Sequence, residues 1–133
     1  MIRISKMADY AVVILATMAE DSETLMTTSA LAERTRLAEP TVSKVLKILT
    51  RGDIIASTRG INGGYSLSRG VSDITLEEII RVVDGPVSVT ACTDGAEPDC
   101  SLAQSCAVRG RWDGVNTAIR GVLETVTLND MKG

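Results

Sequence analysis

The chain has 133 residues, of which 44% are hydrophobic and only 2% aromatic, and its formal net charge is -3 at pH 7. This length suits one modest hydrophobic core and excludes a large multi-domain enzyme. Because Phe is absent, the composition favours helices packed through aliphatic side chains over an all-β sandwich. The longest apolar run, residues 10–16, is shorter than the ~20 residues of a membrane span. We therefore expect a cytoplasmic protein.

The charge is distributed unevenly along the chain. Residues 27–70 contain seven basic and three acidic side chains, a net charge of +4, whereas the segments before and after are both net acidic. A basic segment inside an acidic protein is where we expect the phosphate backbone of a nucleic acid to bind.

The N-terminal part of the chain predicts three helices, of which the last two form a helix-turn-helix. Ser5 N-caps a predicted helix over residues 8–19, and residues 27–29 offer caps for a short second helix ending near residue 34. Pro40 suits the first position of a third helix, which ends at Gly52. The helical spacing of four apolar residues predicts its buried face, which consists of Val42, Val45, Leu46 and Leu49.

A β-hairpin wing and a fourth helix follow in the predicted order. Residues 54–58 and 65–68 have the pattern of two strands joined by a glycine-rich turn. Thr75 and Glu78 predict a capping box for a helix that stops at Gly85.

The C-terminal part predicts a long helix of about four turns that begins near Trp112. A single small domain has little left to cover its apolar stripe, so we interpret it as a dimerisation helix. The stripe consists of Val115, Ala118, Ile119, Val122, Leu123 and Val126.

These elements predict a mainly α-helical protein with a small β-hairpin wing, a winged helix-turn-helix with a long C-terminal dimerisation helix. We predict a DNA-binding domain over residues 1–85, a cysteine loop over 86–110, and a dimerisation helix with a tail over 111–133.

Predicted DNA contacts come from the outward face of the third helix and from the wing. Hydroxyl and ammonium groups on that face suit hydrogen bonds to base edges and phosphates in a major groove. An arginine beside wing glycines suits a minor groove, where negative potential is concentrated. Each charge alone would also suit an ordinary solvated surface, and the combination with the basic segment favours DNA. The predicted contact residues are Thr28, Pro40, Thr41, Ser43, Lys44, Lys47, Arg59, Gly60, Gly63 and Gly64.

Three cysteines, Cys92, Cys100 and Cys106, lie in the predicted loop over residues 86–110. Thiolates in a polar loop suit a soft metal or an iron-sulfur cluster. Their spacing differs from the short pairs of zinc ribbons, so it identifies no metal by itself. Buried structural thiols, a zinc site, a thiol redox switch and an iron-sulfur cluster are the alternatives.

Several motifs resemble the IscR and NsrR type of winged-helix transcriptional regulators. One motif is the run R-G-I-N-G-G-Y over residues 59–65, which is followed by Leu67 and Arg69. Another is the set of three cysteines that comes after the D-G-P helix stop at 84–86. The likeness covers essentially the whole chain. The N-terminal I-S-K-M-A-D-Y-A, the C-A-V-R after the loop and the ending I-R-G-V-L-E-T-V-T-L-N-D-M most resemble the branch that regulates SUF iron-sulfur assembly genes.

The resemblance implies a homodimer joined through the C-terminal helices, with a 2Fe-2S or 4Fe-4S cluster in each subunit. We expect 2Fe-2S, with Cys92, Cys100 and Cys106 as ligands and with DNA contacts from residues 41–47 and Arg59. IscR-type members place a histidine three residues after the last cysteine, where this chain has Arg109 and contains no histidine at all.

The fourth ligand implied by the resemblance is therefore open. NsrR-type members use an aspartate from the first helix of the partner subunit, and Asp9 matches its position. Asp9 also suits an ordinary first-turn acid favoured by the helix dipole. The other possibilities are Asp94, Glu97, Asp99, an exogenous thiol or water.

From the sequence we predict a DNA-binding repressor of iron-sulfur assembly genes that senses cluster supply, oxidation or nitric oxide. The alternative is a cluster-free winged-helix regulator that uses its cysteines as a thiol redox or zinc switch. An enzyme is not expected, because there is no histidine to act as a general base and no phosphate loop. We expect a DNA operator and a second copy of the chain as partners, and neither a membrane nor a small-molecule substrate.

Overall fold

Six α-helices, one 3-10 turn and one two-stranded hairpin make up the described part of the chain, residues 3–90 and 105–132 of a computed structural model. The predicted mainly helical winged fold is confirmed. In chain order the elements are α1 (Lys6–Glu20), α2 (Thr28–Thr35), α3 (Glu39–Arg51), β1 (Ile55–Thr58), β2 (Gly64–Leu67), a 3-10 turn (Val71–Asp73), α4 (Leu76–Asp84), α5 (Trp112–Thr125) and α6 (Leu128–Met131).

Helix α1 lies at the centre of the fold. Its predicted cap is confirmed, because the Ser5 Oγ accepts a hydrogen bond from the Ala8 backbone amide at 3.1 Å. The helix contacts α2, α3, α4 and α6, and this explains why it is apolar on more than one side. Its fully buried side chains include Ile14 and Leu15.

Helices α2 and α3 form the predicted helix-turn-helix. Thr27 caps α2 by accepting a hydrogen bond from the Ala30 amide at 3.1 Å. Helix α2 ends at Thr35, and the φ of 62° at the next residue, Arg36, turns the chain toward α3. Pro40 lies in the first turn of α3, one residue later than predicted, and Gly52 follows its last residue. The predicted buried face is confirmed, with 0% exposure at Val42, Val45, Leu46 and Leu49.

The wing is a short antiparallel hairpin attached to the segment that precedes α2. β1 pairs with β2 in a register that sets Ile55 opposite Leu67 and Thr58 opposite Gly64. The hairpin gains a third partner at Met26, whose amide donates to the Tyr65 carbonyl at 3.1 Å while the Tyr65 amide donates back at 2.8 Å. This bridge fixes the wing against the start of α2.

Helix α4 has the predicted start, but only half of the predicted capping box. The Thr75 Oγ1 accepts a hydrogen bond from the Glu78 amide at 3.1 Å. The Glu78 carboxylate, however, accepts from Arg69 and does not return to the cap. The Glu78 side chain, which the local pattern predicted to complete the cap, therefore forms an ion pair with Arg69 instead.

Helix α5 is attached to the rest of the fold near both ends. Asn116, only 4% exposed, accepts a hydrogen bond from the Val89 amide and donates one to the Val87 carbonyl, both at 2.9 Å. After α5 the chain pairs with the start of α4, where the Leu76 amide donates to the Val126 carbonyl at 2.9 Å. Leu128 then enters the core with 0% exposure.

Within residues 3–90 and 105–132, no helix has the combination of length and apolar character that crossing a membrane requires.

We predict that Leu128→Ala destabilises the protein by about 2–5 kcal/mol, because it removes a fully buried side chain where α6 joins the core. Met131→Ala is the matched control on the same short helix. Its side chain is 44% exposed, so we expect a change within about 0.5 kcal/mol. Urea unfolding followed by circular dichroism at one protein concentration measures both, and equal effects would contradict the packing of α6.

Candidate nucleic-acid interface

The outer face of α3 carries the polar residues that the sequence predicted. Lys44 and Lys47 are exposed, whereas Thr41 and Ser43 are half-buried and keep part of their surface accessible. Pro40 is exposed at the start of the helix. Because the opposite face of α3 is fully buried, its rotation is fixed, and these side chains are held toward solvent.

A groove between α2 and the wing brings five of the predicted contact residues together. Thr28 lies on one side, and Arg59, Gly60, Gly63 and Gly64 lie on the other. The same groove is also lined by Thr27, Ser57, Thr58 and Tyr65.

A second groove lies between α3 and the wing. It is lined by Lys47, Thr50, Arg51, Ser57 and Tyr65. Because Ser57 and Tyr65 line both grooves, the outer face of α3, the start of α2 and the wing form one surface, which we call the α3–wing surface.

Several residues of the α3–wing surface were missed by the sequence reasoning. Thr27, Thr50 and Arg51 lie next to predicted contacts, but nothing in their spacing marks them. Ser57 and Tyr65 could have been found from the strand alternation once the hairpin register was known.

Positive charge on the α3–wing surface is available to a ligand. Two arginines of the basic segment are already engaged, since Arg34 pairs with Glu20 and Arg69 pairs with Glu78. The pKa of Arg69 is raised, first by its hydrogen bond to Glu78.

The other cations of the basic segment have no such partner. In the part of the chain that the structure describes, no carboxylate lies within 4.0 Å of their charged nitrogens. A surface of unpaired cations and hydroxyl groups suits a polyanion. On the α3–wing surface these cations are Lys44, Lys47, Arg51 and Arg59, and Arg36 lies just after the end of α2.

The predicted wing glycines have identifiable steric roles. A Cβ at Gly63 would lie 2.2 Å from the Thr58 carbonyl oxygen, and one at Gly64 would lie 2.9 Å from the Met26 carbonyl oxygen. Gly60 has a φ of +115°, which favours glycine although the space around it is open. These glycines therefore shape the tight turn that presents Arg59.

The predicted cluster ligands fall largely outside the described residues. Cys92 and Cys100 lie there, and so do Asp94, Glu97 and Asp99. Cys106 is half-buried with a free thiol, six residues before α5. Asp9 is exposed in the first turn of α1. Among the described residues, no group of three His, Cys, Asp or Glu side chains is placed to hold a metal ion.

Comparisons with known proteins agree with the winged-helix fold. Residues 4–133 match the model of the Rrf2 family, described as iron-dependent transcriptional regulators. The chain is similar to protein aau3 of Rhizobium meliloti, with 31% identity over 129 residues, which cover 97% of this chain and 84% of that protein.

Two solved structures of regulators have the same fold as this chain. The structure of CymR, the global cysteine regulator of B. subtilis, matches with a TM-score of 0.76 and 28% identity over 98% of this chain and 96% of that one. IscR of T. potens matches with a TM-score of 0.71 and 30% identity over 98% of this chain and 85% of that one. The resemblance to IscR-type winged-helix regulators is thereby confirmed.

We predict that Lys47→Ala weakens binding to a mixed-sequence DNA duplex and lowers the slope of log K against log salt concentration by about 0.9, the share of one neutralised phosphate. Lys132→Ala, an exposed lysine just after α6, is the matched control and leaves the slope unchanged. Fluorescence anisotropy across a salt series measures both. Equal slopes for the two variants would remove Lys47 from the interface.

Proposed function

Since the chain belongs to the Rrf2 family of DNA-binding transcriptional regulators, we propose that it is a dimeric repressor of iron-sulfur cluster assembly genes, controlled by a cluster on its cysteines. The observation that carries the DNA-binding part is the continuous α3–wing surface with its unpaired cations. The cluster part is supported by the iron-dependent description of the family and by the similarity to IscR.

The proposed DNA contacts divide between two grooves. Thr41, Ser43 and Lys44 on α3 would read base edges and phosphates in the major groove, with Lys47 on a phosphate. Arg59 on the wing would enter the adjacent minor groove, because a guanidinium there gains from the concentrated negative potential.

The proposed dimer uses the exposed apolar side of α5. Trp112, Val115 and Val122 are 42%, 44% and 63% exposed, and helical spacing places them along one side. Asn116 faces the chain's own residues 87–89 instead. A second copy of α5 would cover the apolar side and place two α3 helices about 34 Å apart, one turn of B-DNA.

We predict that Val122→Glu converts the dimer to a monomer at micromolar concentration, because a charge would be buried without a partner in the helix pair. Thr117→Glu is the matched control, since Thr117 is exposed on the side of α5 away from Val115 and Val122. Sedimentation velocity measures the mass of each variant, and circular dichroism checks the fold. A dimeric Val122→Glu protein would rule out this face.

The donor groups of the chain fit an iron-sulfur cluster chemically. Cys92, Cys100 and Cys106 supply three thiolates, and the absence of histidine leaves a carboxylate such as Asp9 or an exogenous group as fourth ligand. When bound, a cluster supplies a group whose oxidation state and ligation respond to iron supply, oxidants or nitric oxide. Cys106 is accessible enough to act as a ligand because it is only half-buried and its thiol is free.

The position of the cysteines offers a route from the proposed cluster to the DNA. Residues 87–89 enter the cysteine region and are held on α5 by Asn116, while Cys106 lies shortly before α5 begins. A change among the cysteines would therefore act on α5, which the proposed dimer uses to set the distance between the two α3 helices.

A thiol redox or zinc switch without a cluster is the second candidate. The specific observation in its favour is the match to the structure of CymR, described as a global cysteine regulator. Both candidates use the same cysteines, so metal and sulfide content separates them.

We predict that protein purified without oxygen is coloured and contains iron and acid-labile sulfide, and that Cys106→Ala loses most of all three signals, because a cluster ligand is gone. Visible absorption with iron, zinc and sulfide assays makes the measurement. A colourless, iron-free wild type would overturn the cluster proposal, and stoichiometric zinc in that sample would favour the second candidate.

Asp9→Ala, with Asp21→Ala as its control, tests the fourth ligand within the same experiment. Both aspartates are exposed and lie at opposite ends of α1. An altered spectrum only for Asp9→Ala supports ligation by Asp9, whereas identical spectra for the two variants remove it from the ligand set.

A further inference from the structure

The tip of the wing presents an apolar side chain that nothing in the described fold covers. Ile61 has a relative exposure of 104%, the largest among the exposed large hydrophobic residues of the described chain. It lies in the turn from Gly60 to Gly63, which is closed by a hydrogen bond from the Gly63 amide to the Gly60 carbonyl at 3.0 Å. Asn62 occupies the other central position of this turn.

The base of the hairpin holds this tip in a defined place. Gly63 and Gly64 approach the backbone of Thr58 and Met26 more closely than any residue with a Cβ would allow. The Met26–Tyr65 bridge fixes β2 to the start of α2. Ile61 is therefore presented by a constrained turn at the end of the α3–wing surface.

Isoleucine is uncommon at a central position of a turn such as that from Gly60 to Gly63. Turns favour Gly, Pro, Asn, Asp and Ser, and an exposed β-branched residue gains nothing from packing there. Three of the other exposed apolar residues, Trp112, Val115 and Val122, lie on the α5 face that the proposed dimer covers, and the rest are at most 47% exposed. Dimerisation through α5 would give no cover to a residue at the wing tip, so Ile61 would stay exposed in the proposed dimer.

The neighbours of Ile61 indicate the chemistry of that partner. Arg59, two residues away, is exposed and has no carboxylate within ion-pair distance in the described part of the chain. A cation beside an apolar tip matches a minor groove, whose phosphates attract the cation and whose walls and floor include apolar sugar and base edges. Proteins that bind this groove often place an isoleucine or another apolar side chain against the base steps.

We propose that Ile61 is an apolar DNA contact that packs into the minor groove when Arg59 enters it. This inference rests on the proposed function, because it places the wing in the minor groove. Arg59 would contribute the salt-dependent part of the contact. Ile61 would contribute a part that does not depend on salt and that favours A·T pairs, because the amino group of guanine protrudes from the floor of the minor groove and blocks close apolar packing.

Three measurements on duplex DNA test this assignment. Wild-type protein first selects duplexes from a random library. The affinities of wild type, Ile61→Ala and Ile61→Val for a selected duplex are then measured over a salt series. We expect Ile61→Ala to bind about tenfold more weakly, from the loss of buried methyl and methylene groups, with Ile61→Val in between. The salt slope stays at the wild-type value, whereas Arg59→Ala lowers it by about 0.9.

The third measurement uses base pairs that differ only in the minor groove. G·C pairs are introduced at the positions flanking each half-site and compared with inosine·C pairs, which lack the guanine amino group but keep the same major-groove edge. We expect the wild type to prefer inosine·C and Ile61→Ala to lose most of that preference. Met131→Ala, an exposed apolar residue on α6, is the matched control and behaves as wild type.

The outcomes separate this inference from the proposed function. If the wild type enriches no duplex, the proposed function and this inference both fail. If the wild type binds and Ile61→Ala binds equally well, only the role of Ile61 is overturned. A weaker Ile61→Ala with a salt slope lowered by about 0.9 would also overturn it, because the substitution would then act through Arg59.

Discussion

The attachment of α5 to the winged domain fixes where the proposed dimerisation helix lies relative to the rest of the fold. The side-chain amide of Asn116 forms hydrogen bonds with the backbone of Val87 and Val89. After α5, Leu128 packs in the core beside α1. A buried amide left without partners costs about 1–3 kcal/mol, so α5 cannot leave this position without a penalty. The Asn116 contact therefore favours this one position of α5 on the rest of the described fold.

The buried face of α3 extends this constraint to the polar residues. Val42, Val45, Leu46 and Leu49 are each fully buried, so a rotation of α3 would expose part of this apolar face. Lys44 and Lys47 are in consequence held on the opposite face. Among the described residues their charges have no ion-pair partner, whereas Arg34 and Arg69 are paired with Glu20 and Glu78. The basic segment thus divides into cations that are paired with carboxylates of the chain and cations that remain available to a polyanion.

Local patterns predicted the elements of this fold, and non-local pairings were missed. The apolar spacing in α3 and the cap at Ser5 are signals within one or two helical turns, and both are confirmed. The Met26–Tyr65 and Thr75–Thr127 bridges join residues far apart in the chain and leave no periodic signal. Asn116 looks like an ordinary surface asparagine in the sequence, because its partners are backbone groups at 87 and 89.

The capping box is a local pattern that a non-local pairing overrides. Thr75 and Glu78 have the correct spacing, yet Glu78 pairs with Arg69, nine residues earlier in the chain. The partly exposed ion pair with Arg69 competes well with a second capping hydrogen bond, because both interactions are modest. For the functional sites, the structure brings some of the predicted residues together and does not describe others. Thr28 and the wing glycines meet in one groove, while two of the three predicted cysteine ligands lie outside the described residues.

The free energy of the Asn116 contact limits the size of the regulatory effect that we propose. The cysteine region joins α4 to α5, and these two helices are already connected at two places, by Asn116 with residues 87–89 and by Leu76 with Val126. In the proposed mechanism, a change among the cysteines would act first on the nearer of these in the sequence, the Asn116 contact. Breaking it exchanges two hydrogen bonds for solvated groups or leaves them unsatisfied, a free-energy difference of about 1–3 kcal/mol. In the proposed mechanism, coupling between the cysteines and the DNA-binding surface through this contact would therefore be limited to about 5- to 150-fold in affinity, the range usual for allosteric proteins.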